Sequence, residues 1–287
     1  MTIFMNRSIF SELFNKAFRS GNPLFLFIGI NILVFLAINL FALGEYLFGS
    51  QTSGADWLTR QVSVPAYYAD VPLKFWTIIT YMFVQRDFFH LLFNMLWMYW
   101  MGQIFMDFLN KRQFIFVYFS GGVLGALLYV LAYSTIPVFE NNALNSILLG
   151  SSASVMALVI ATATLVPDFT IRLLLFGTVR LKYLALGYFV LDIISMGGRN
   201  PGGSIAHIGG AIMGFIFIKQ LQNGNDLSSI LTKRSTLKVV RSTGSKPVKN
   251  NFTDQDTIDS ILDKISQSGY DSLSKTEKEQ LFKASKK

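Results

Sequence analysis

Six long stretches nearly free of charge dominate this chain, covering residues 20–44, 88–106, 113–139, 141–167, 183–198 and 200–218. A helix that crosses the hydrocarbon core of a bilayer needs roughly 20 mostly apolar residues, and each run is near that length. The apolar centre of the first is 24–43, and the fourth is expected to span over 147–166. His90 and Asn94 interrupt the second run, and Asp192 is the one charge in the fifth. Charged residues make up only 15% of the chain, where an average soluble domain carries about 25%. That gap argues against a soluble globular protein, and intrinsic disorder is excluded for most of the chain. The pattern predicts an all-α membrane protein, a bundle of six transmembrane helices. The first run is too long for a signal-peptide core and no small-residue cleavage site follows it, so it reads as a retained helix.

The loops set the orientation. Arg7, Lys16 and Arg19 precede the first run, Lys111 and Arg112 follow the second, and Arg172, Arg180 and Lys182 follow the fourth. With the Lys-rich tail these lie on one side if all six runs span. The opposite side is mixed: Glu45, Asp56, Arg60, Asp70, Lys74, Arg86, Asp87, Glu140 and Arg199. The positive-inside bias places both termini in the cytoplasm, as expected of a multi-pass protein of the cell inner membrane. The net charge of +8 is accordingly read as lipid contact and topology, and no nucleic-acid partner is implied.

Four segments divide the chain. Residues 1–22 carry Phe4, Ile9, Phe10, Leu13, Phe14 and Phe18 among basic residues, an amphipathic helix for the inner membrane surface that Ser20-Gly21-Asn22-Pro23 ends. Residues 23–221 form the membrane domain. It includes an outer loop with Trp57, Tyr67, Tyr68 and Trp76 at the interface, and a partly alternating segment, 169–184, that reads either as a short cytoplasmic hairpin or as a lead-in to the fifth span. Residues 222–251 are a basic linker, either resting on anionic lipid or a solvated spacer. Residues 252–287 show Ile258, Ile261, Leu262 and Ile265 at helical spacing. Ser274-Lys275-Thr276-Glu277 then forms a capping box, so two helices are expected around Gly269, with an unknown partner.

The chemistry lies in the few polar residues within the spans. No cysteine is present, which excludes disulfides, Cys-ligated zinc and thiol catalysis, and His90 and His207 are the only histidines. No metal or cofactor is expected, and no His-Glu-x-x-His or Gly-Asp motif occurs. His90 and Asn94 stand at i and i+4, on one helix face. The fourth run carries Gly150-Ser151-Ser152-Ala153-Ser154, and the sixth carries Ala206-His207 among Gly203, Gly210 and Gly214. A serine alone can return its hydrogen bond to its own helix, and a lone histidine is often a packing residue. Serine, two histidines and asparagine together point to acyl transfer. A serine hydroxyl needs a base as it attacks a carbonyl. His207 supplies one if the fourth and sixth helices touch, which Gly150, Gly203, Gly210 and Gly214 are expected to allow as helix-packing residues. His90 and Asn94 then stand ready to stabilise an oxyanion.

These residues resemble the rhomboid intramembrane serine proteases, bacterial members with a six-span core. The likeness covers residues 75–217: His90-Leu91-Leu92-Phe93-Asn94, Gly150-Ser151-Ser152 and Ala206-His207-Ile208-Gly209-Gly210, in order on the second, fourth and sixth spans. The resemblance implies Ser152 as nucleophile and His207 as general base, a dyad with no third carboxylate. It implies His90, Asn94 and the Ser152 N–H as the oxyanion hole, single-span membrane proteins as substrates, and no cofactor. Two positions depart from the pattern. Ala153 stands where Gly-x-Ser-Gly has its last glycine, and Met156 stands where many members have a tyrosine stacked on the histidine. The alternative is a catalytically inactive rhomboid-like protein that binds membrane clients. Such proteins usually lack the serine or the histidine, and this chain keeps both.

Overall fold

A computed structural model of the protein describes residues 9–49, 53–173, 177–196, 200–231 and 255–285. The chain forms two compact units, Met1–Lys233 and Arg234–Lys287.

The first unit opens with α1 (Ile9–Phe14), which runs into a π-helical turn over Asn15–Arg19. Residues 1–8 of the expected amphipathic segment lie outside the described residues. The break falls where the turn residues predict it. Ser20 Oγ donates to the Lys16 carbonyl at 2.6 Å. Asn22 Oδ1 then accepts from Leu24 N at 2.9 Å to cap α2 (Pro23–Leu47), with proline at the first helical position, where its missing N–H costs nothing. The Glu45 carboxylate in the last turn of α2 takes the N–H groups of Gly54 and Ala55 at 2.6 and 2.9 Å, and so starts α3 (Gly54–Val62). A two-residue strand, β1 (Val64–Pro65), and the short α4 (Thr77–Thr80) lead into α5 (Phe88–Phe108). Asn110 and Gln113 form a reciprocal capping box at the start of α6 (Lys111–Thr135). The short α7 (Pro137–Glu140) and β2 (Ile147–Leu148) precede α8 (Ser152–Leu165). Strands β3 (Thr170–Leu173) and β4 (Gly177–Arg180) pair antiparallel, as the hairpin reading has it, followed by α9 (Leu181–Ser195) and α10 (Pro201–Gln222).

Among the described residues, α2, α6 and α10 are long and apolar enough to cross a membrane. The fourth run departs from expectation. Helix was expected over 147–166, but Ile147 and Leu148 form β2, paired antiparallel with Pro65 and Val64, and α8 begins only at Ser152. The reason is Gly150, whose φ of 116° lies where L side chains rarely go and where a helix cannot continue. With 14 residues, α8 is about 21 Å long at 1.5 Å per residue.

α8 is the axis of the bundle. Eleven of its fourteen residues are buried, as befits a helix apolar on all sides. It packs against α5, α6, α9 and α10. α2 stands at the edge: Leu24, Phe27, Asn31 and Ile38 face inward, while Leu33, Leu36, Leu40 and Phe41 are exposed as lipid-facing side chains would be. Phe27 anchors it in a cluster of Phe83, Phe114, Tyr118 and Phe119 rings.

The segment read as a linker from residue 222 opens on packed structure. Asp226 accepts from Arg112 Nη2 at 2.5 Å and from Gln113 Nε2 at 3.2 Å, and Arg112 Nε donates to Ser228 Oγ at 3.0 Å. A 3-10 turn at Leu227–Leu231 is thereby held to the start of α6.

In the second unit, α11 (Gln255–Ser268) and α12 (Lys275–Ser285) flank Gly269. The capping box is present: Ser274 N donates to Glu277 Oε2 at 2.7 Å, and Glu277 N donates back to Ser274 Oγ at 3.3 Å. Ile261 and Leu273 are its buried apolar residues among those described.

Candidate active site

Three helices present the expected residues near their N-termini. Asp87 Oδ1 accepts from His90 N at 2.7 Å, which caps α5 and fixes His90 in its first turn, with Asn94 one turn on. Asn200 Oδ1 accepts from Gly203 N at 3.0 Å and caps α10, with His207 two turns in. Ser152 is the first residue of α8, and here no side chain caps the helix. The first N–H groups of α8 therefore have no capping acceptor from a side chain.

The three neighbouring serines have separate surroundings. Ser151 Oγ accepts from Gln85 Nε2 at 2.9 Å and is fully buried. Ser154, also fully buried, faces Gly122 of α6. Ser152 alone keeps some access, 9% of its surface. Its hydroxyl shares the space in front of Gly150 with His90: a methyl built on Gly150 would stand 2.9 Å from His90 Cε1 and 3.7 Å from Ser152 Oγ. Gly150 N donates to the Tyr81 carbonyl at 2.9 Å, and Tyr81 Oη donates to the Gly122 carbonyl at 2.7 Å, so the turn is tied to α6.

Close helix contact brings His207 to the same region. A side chain on Gly210 would overlap the Ala153 carbonyl, and one on Gly214 would overlap that of Ala157. These two glycines let α10 lie backbone to backbone on α8. On the third side is Gly125 of α6, where a methyl would meet Ala206 O at 2.7 Å and Ala153 Cβ at 2.8 Å. The neighbours of His207 and Ser152 thus converge on one glycine. The methyl of Ala153, absent in Gly-x-Ser-Gly, is accommodated by Gly125.

Two glycines expected to pack helices do something else. Gly150 lies outside any helix and makes the turn before the nucleophile candidate. At Gly203 a methyl would run into the Asn200 side chain, so this glycine leaves room for the cap of its own helix.

A buried polar network supports Asn94. Its Nδ2 donates to Gln85 Oε1 at 3.3 Å, and Gln85 Nε2 donates to Asn31 Oδ1 at 3.2 Å as well as to Ser151. Asn94 has two N–H donors, so one hydrogen remains for a ligand. Gln85 and Asn31 belong to none of the motifs that mark the site in the sequence. Asn31, a polar residue inside the first apolar run, is the one visible signal of the network.

The imidazole of His207 has a partner the resemblance did not imply. His207 Nδ1 lies 2.7 Å from Asp192 Oδ1 on α9. Nε2, on the other edge of the ring, is buried and makes no hydrogen bond. Catalytic hydrogen bonds are often completed only when substrate binds. Met156, in the place of the usual stacking tyrosine, is completely buried. Among the described residues no cluster of His, Asp and Glu suits a metal ion.

Fold and site together define a multi-pass helical membrane protein with serine, histidine and asparagine gathered around the start of a short interior helix. Residues 72–222 match the Rhomboid domain, and the chain belongs to the rhomboid family, whose members are generally intramembrane serine proteases. Residues 249–287 match a family of unknown function, DUF6576, which contains both tail helices. A search of curated proteins finds no match.

Proposed function

We propose that this protein is an intramembrane serine endopeptidase that hydrolyses peptide bonds in or near the membrane-spanning segments of single-span membrane proteins. The observation that carries the reading is the state of the two candidate reactants. Ser152 is the accessible serine of its cluster and stands beside His90, while His207, on the helix packed against α8, keeps Nε2 without a hydrogen bond. In this reading Ser152 Oγ attacks the scissile carbonyl as its proton passes to His207 Nε2. Negative charge develops on the carbonyl oxygen, where the Ser152 N–H, His90 and Asn94 are the donors. His207 returns the proton to the departing amine nitrogen, and water, activated by the same base, releases the acyl group. The Gly210 and Gly214 contacts support the required proximity of α8 and α10.

We also infer that all six apolar runs cross the membrane, with both termini in the cytoplasm of a bacterial cell. The excess of lysine and arginine in the loops on the side of the termini supports this.

The test is cleavage of a generic single-span substrate by purified protein. Ser152→Ala should abolish cleavage and fluorophosphonate labelling, while Ser151→Ala and Ser154→Ala keep most of both. A wild-type protein that binds clients yet neither cleaves nor labels would establish the inactive alternative. Full activity in Ser152→Ala would remove the assigned nucleophile.

A further inference from the structure

We propose that Asp192 is a positioning residue for His207: its carboxylate accepts the Nδ1–H, fixes the plane of the imidazole, and leaves Nε2 unprotonated toward Ser152. The inference rests on the protease reading and extends its constellation from a pair to three side chains.

The geometry is specific. Asp192 Oδ1 and His207 Nδ1 are 2.7 Å apart, with only 11% and 13% of the two side chains exposed. Ser204, one turn before His207 on α10, is buried, and its hydroxyl donates to the Asp192 carbonyl at 3.1 Å and to Oδ1 at 3.4 Å. α9 is itself held in register. Tyr188, one turn before Asp192, stacks on Trp97 of α5 with ring centroids 4.7 Å apart and planes at 18°. Both α5 and α10 thus constrain where the carboxylate sits.

A tie between helices needs no charge, and an ionised group at this depth is costly. What a carboxylate adds is control of the tautomer, because the hydrogen bond at one ring nitrogen decides which nitrogen carries the proton. As the Ser152 Oγ–carbon bond forms, the serine proton moves to Nε2 and the imidazolium faces the carboxylate. As the carbon–nitrogen bond breaks, that proton leaves with the amine and Asp192 stays ionised throughout. The aspartate also takes over ring restraint where Met156 replaces the usual stacking tyrosine.

The chain has two histidines, so full-length protein carrying ring-labelled 15N-histidine gives two imidazole systems by NMR. His207 is expected as the Nδ1–H tautomer with a strongly downfield proton. Asp192→Asn should abolish that signature. Its kcat should fall about 10²-fold or more, towards the roughly 10⁴-fold seen when the triad carboxylate of a serine protease becomes an amide, while KM changes less than about threefold. A purely structural tie would lower stability without altering the tautomer. An unchanged His207 signal in Asp192→Asn, or a kcat within threefold of wild type, overturns the proposal. If Asp192→Asn does not fold, the wild-type spectrum still decides, because an Nε2–H tautomer at His207 is incompatible with the proposed contact. Ser204→Ala, expected to weaken the downfield shift, is the milder variant, and an unaltered shift there also counts against the arrangement. If wild type neither cleaves nor labels, the protease reading fails while the spectrum reports separately on the Asp192 contact.

Discussion

Gly125→Ala is the most direct test of how the site is assembled. The added methyl would lie 2.7 Å from the Ala206 carbonyl and 2.8 Å from Ala153 Cβ, where ordinary contact begins at 3.4 Å. One neighbour is backbone and the other is a β-carbon, so neither can swing aside. α6 must withdraw from α8 and α10 by roughly 0.6–0.7 Å, or those two helices must part. Overpacking of this kind costs about 1–3 kcal/mol. The displaced residues flank Ser152 and His207, and a misplacement near 1 Å costs about 10²-fold in rate, so kcat should fall about tenfold or more. Gly187→Ala on α9 is the matched control. Nothing lies within 4 Å of its added methyl, so stability should be unchanged or slightly higher. Unfolding in mixed micelles reads the first quantity and cleavage of a single-span substrate the second. Adding Ala153→Gly removes one of the two clashes and should recover part of the loss. Wild-type stability and kcat in Gly125→Ala would refute the convergence of three helices on this residue.

Three further outcomes are expected. Asn94→Ala should lower kcat about 10²–10³-fold if it removes an oxyanion donor, while fluorophosphonate labelling of Ser152 remains detectable; loss of folding would make Asn94 structural instead. A chain ending after Lys233 should keep wild-type cleavage and thermal stability. One ending after Asn223 deprives Arg112 and Gln113 of Asp226, and its unfolding midpoint should drop by the equivalent of about 1–2 kcal/mol for the lost charge-assisted bonds. In the tail, the Ser274 backbone N–H first, then Lys264 and the Ser274 hydroxyl, push the Glu277 carboxyl down to about 2 from an ordinary 4.5. A depressed carboxyl stabilises the fold above its unfolded value and loses that contribution as pH falls towards the folded one. Backbone exchange in α12 should therefore quicken, relative to Glu277→Gln, between about pH 4.5 and 2, and equal pH dependence in the two proteins would count against the capping box.

The sequence exposed what is local. Apolar runs, the Ser20–Pro23 break and the tail's Ser274–Glu277 pattern depend on neighbours in the chain, and the helices follow them. It did not expose pairings between distant segments. Ile147-Leu148 reads as helix because both residues are apolar, while the turn at Gly150 and the partner strand at Val64–Pro65 make it a strand. Gly150 and Gly203 were grouped with Gly210 and Gly214 on residue type alone, although only the latter two meet another helix backbone. The α6 glycines that receive α8 and α10 lie in a run with no charged residue or histidine to draw notice. Asp192 stood out as the one charge in its span, yet its partner is fixed by how α9 and α10 pack, which no spacing within either helix encodes.

The uncapped start of α8 has an electrostatic consequence. α5, α6 and α10 each spend their first amides on a side chain, Asp87, Asn110 and Asn200 respectively, while α8 spends none at Ser152. A helix end carries the equivalent of roughly half a positive charge. Here it arises from oriented peptide bonds and needs no counterion. Mobile ions screen exposed charges strongly and buried ones much less. In the proposed reaction, the attraction this end would exert on a nascent oxyanion is therefore a fixed property of the fold that added salt leaves largely intact.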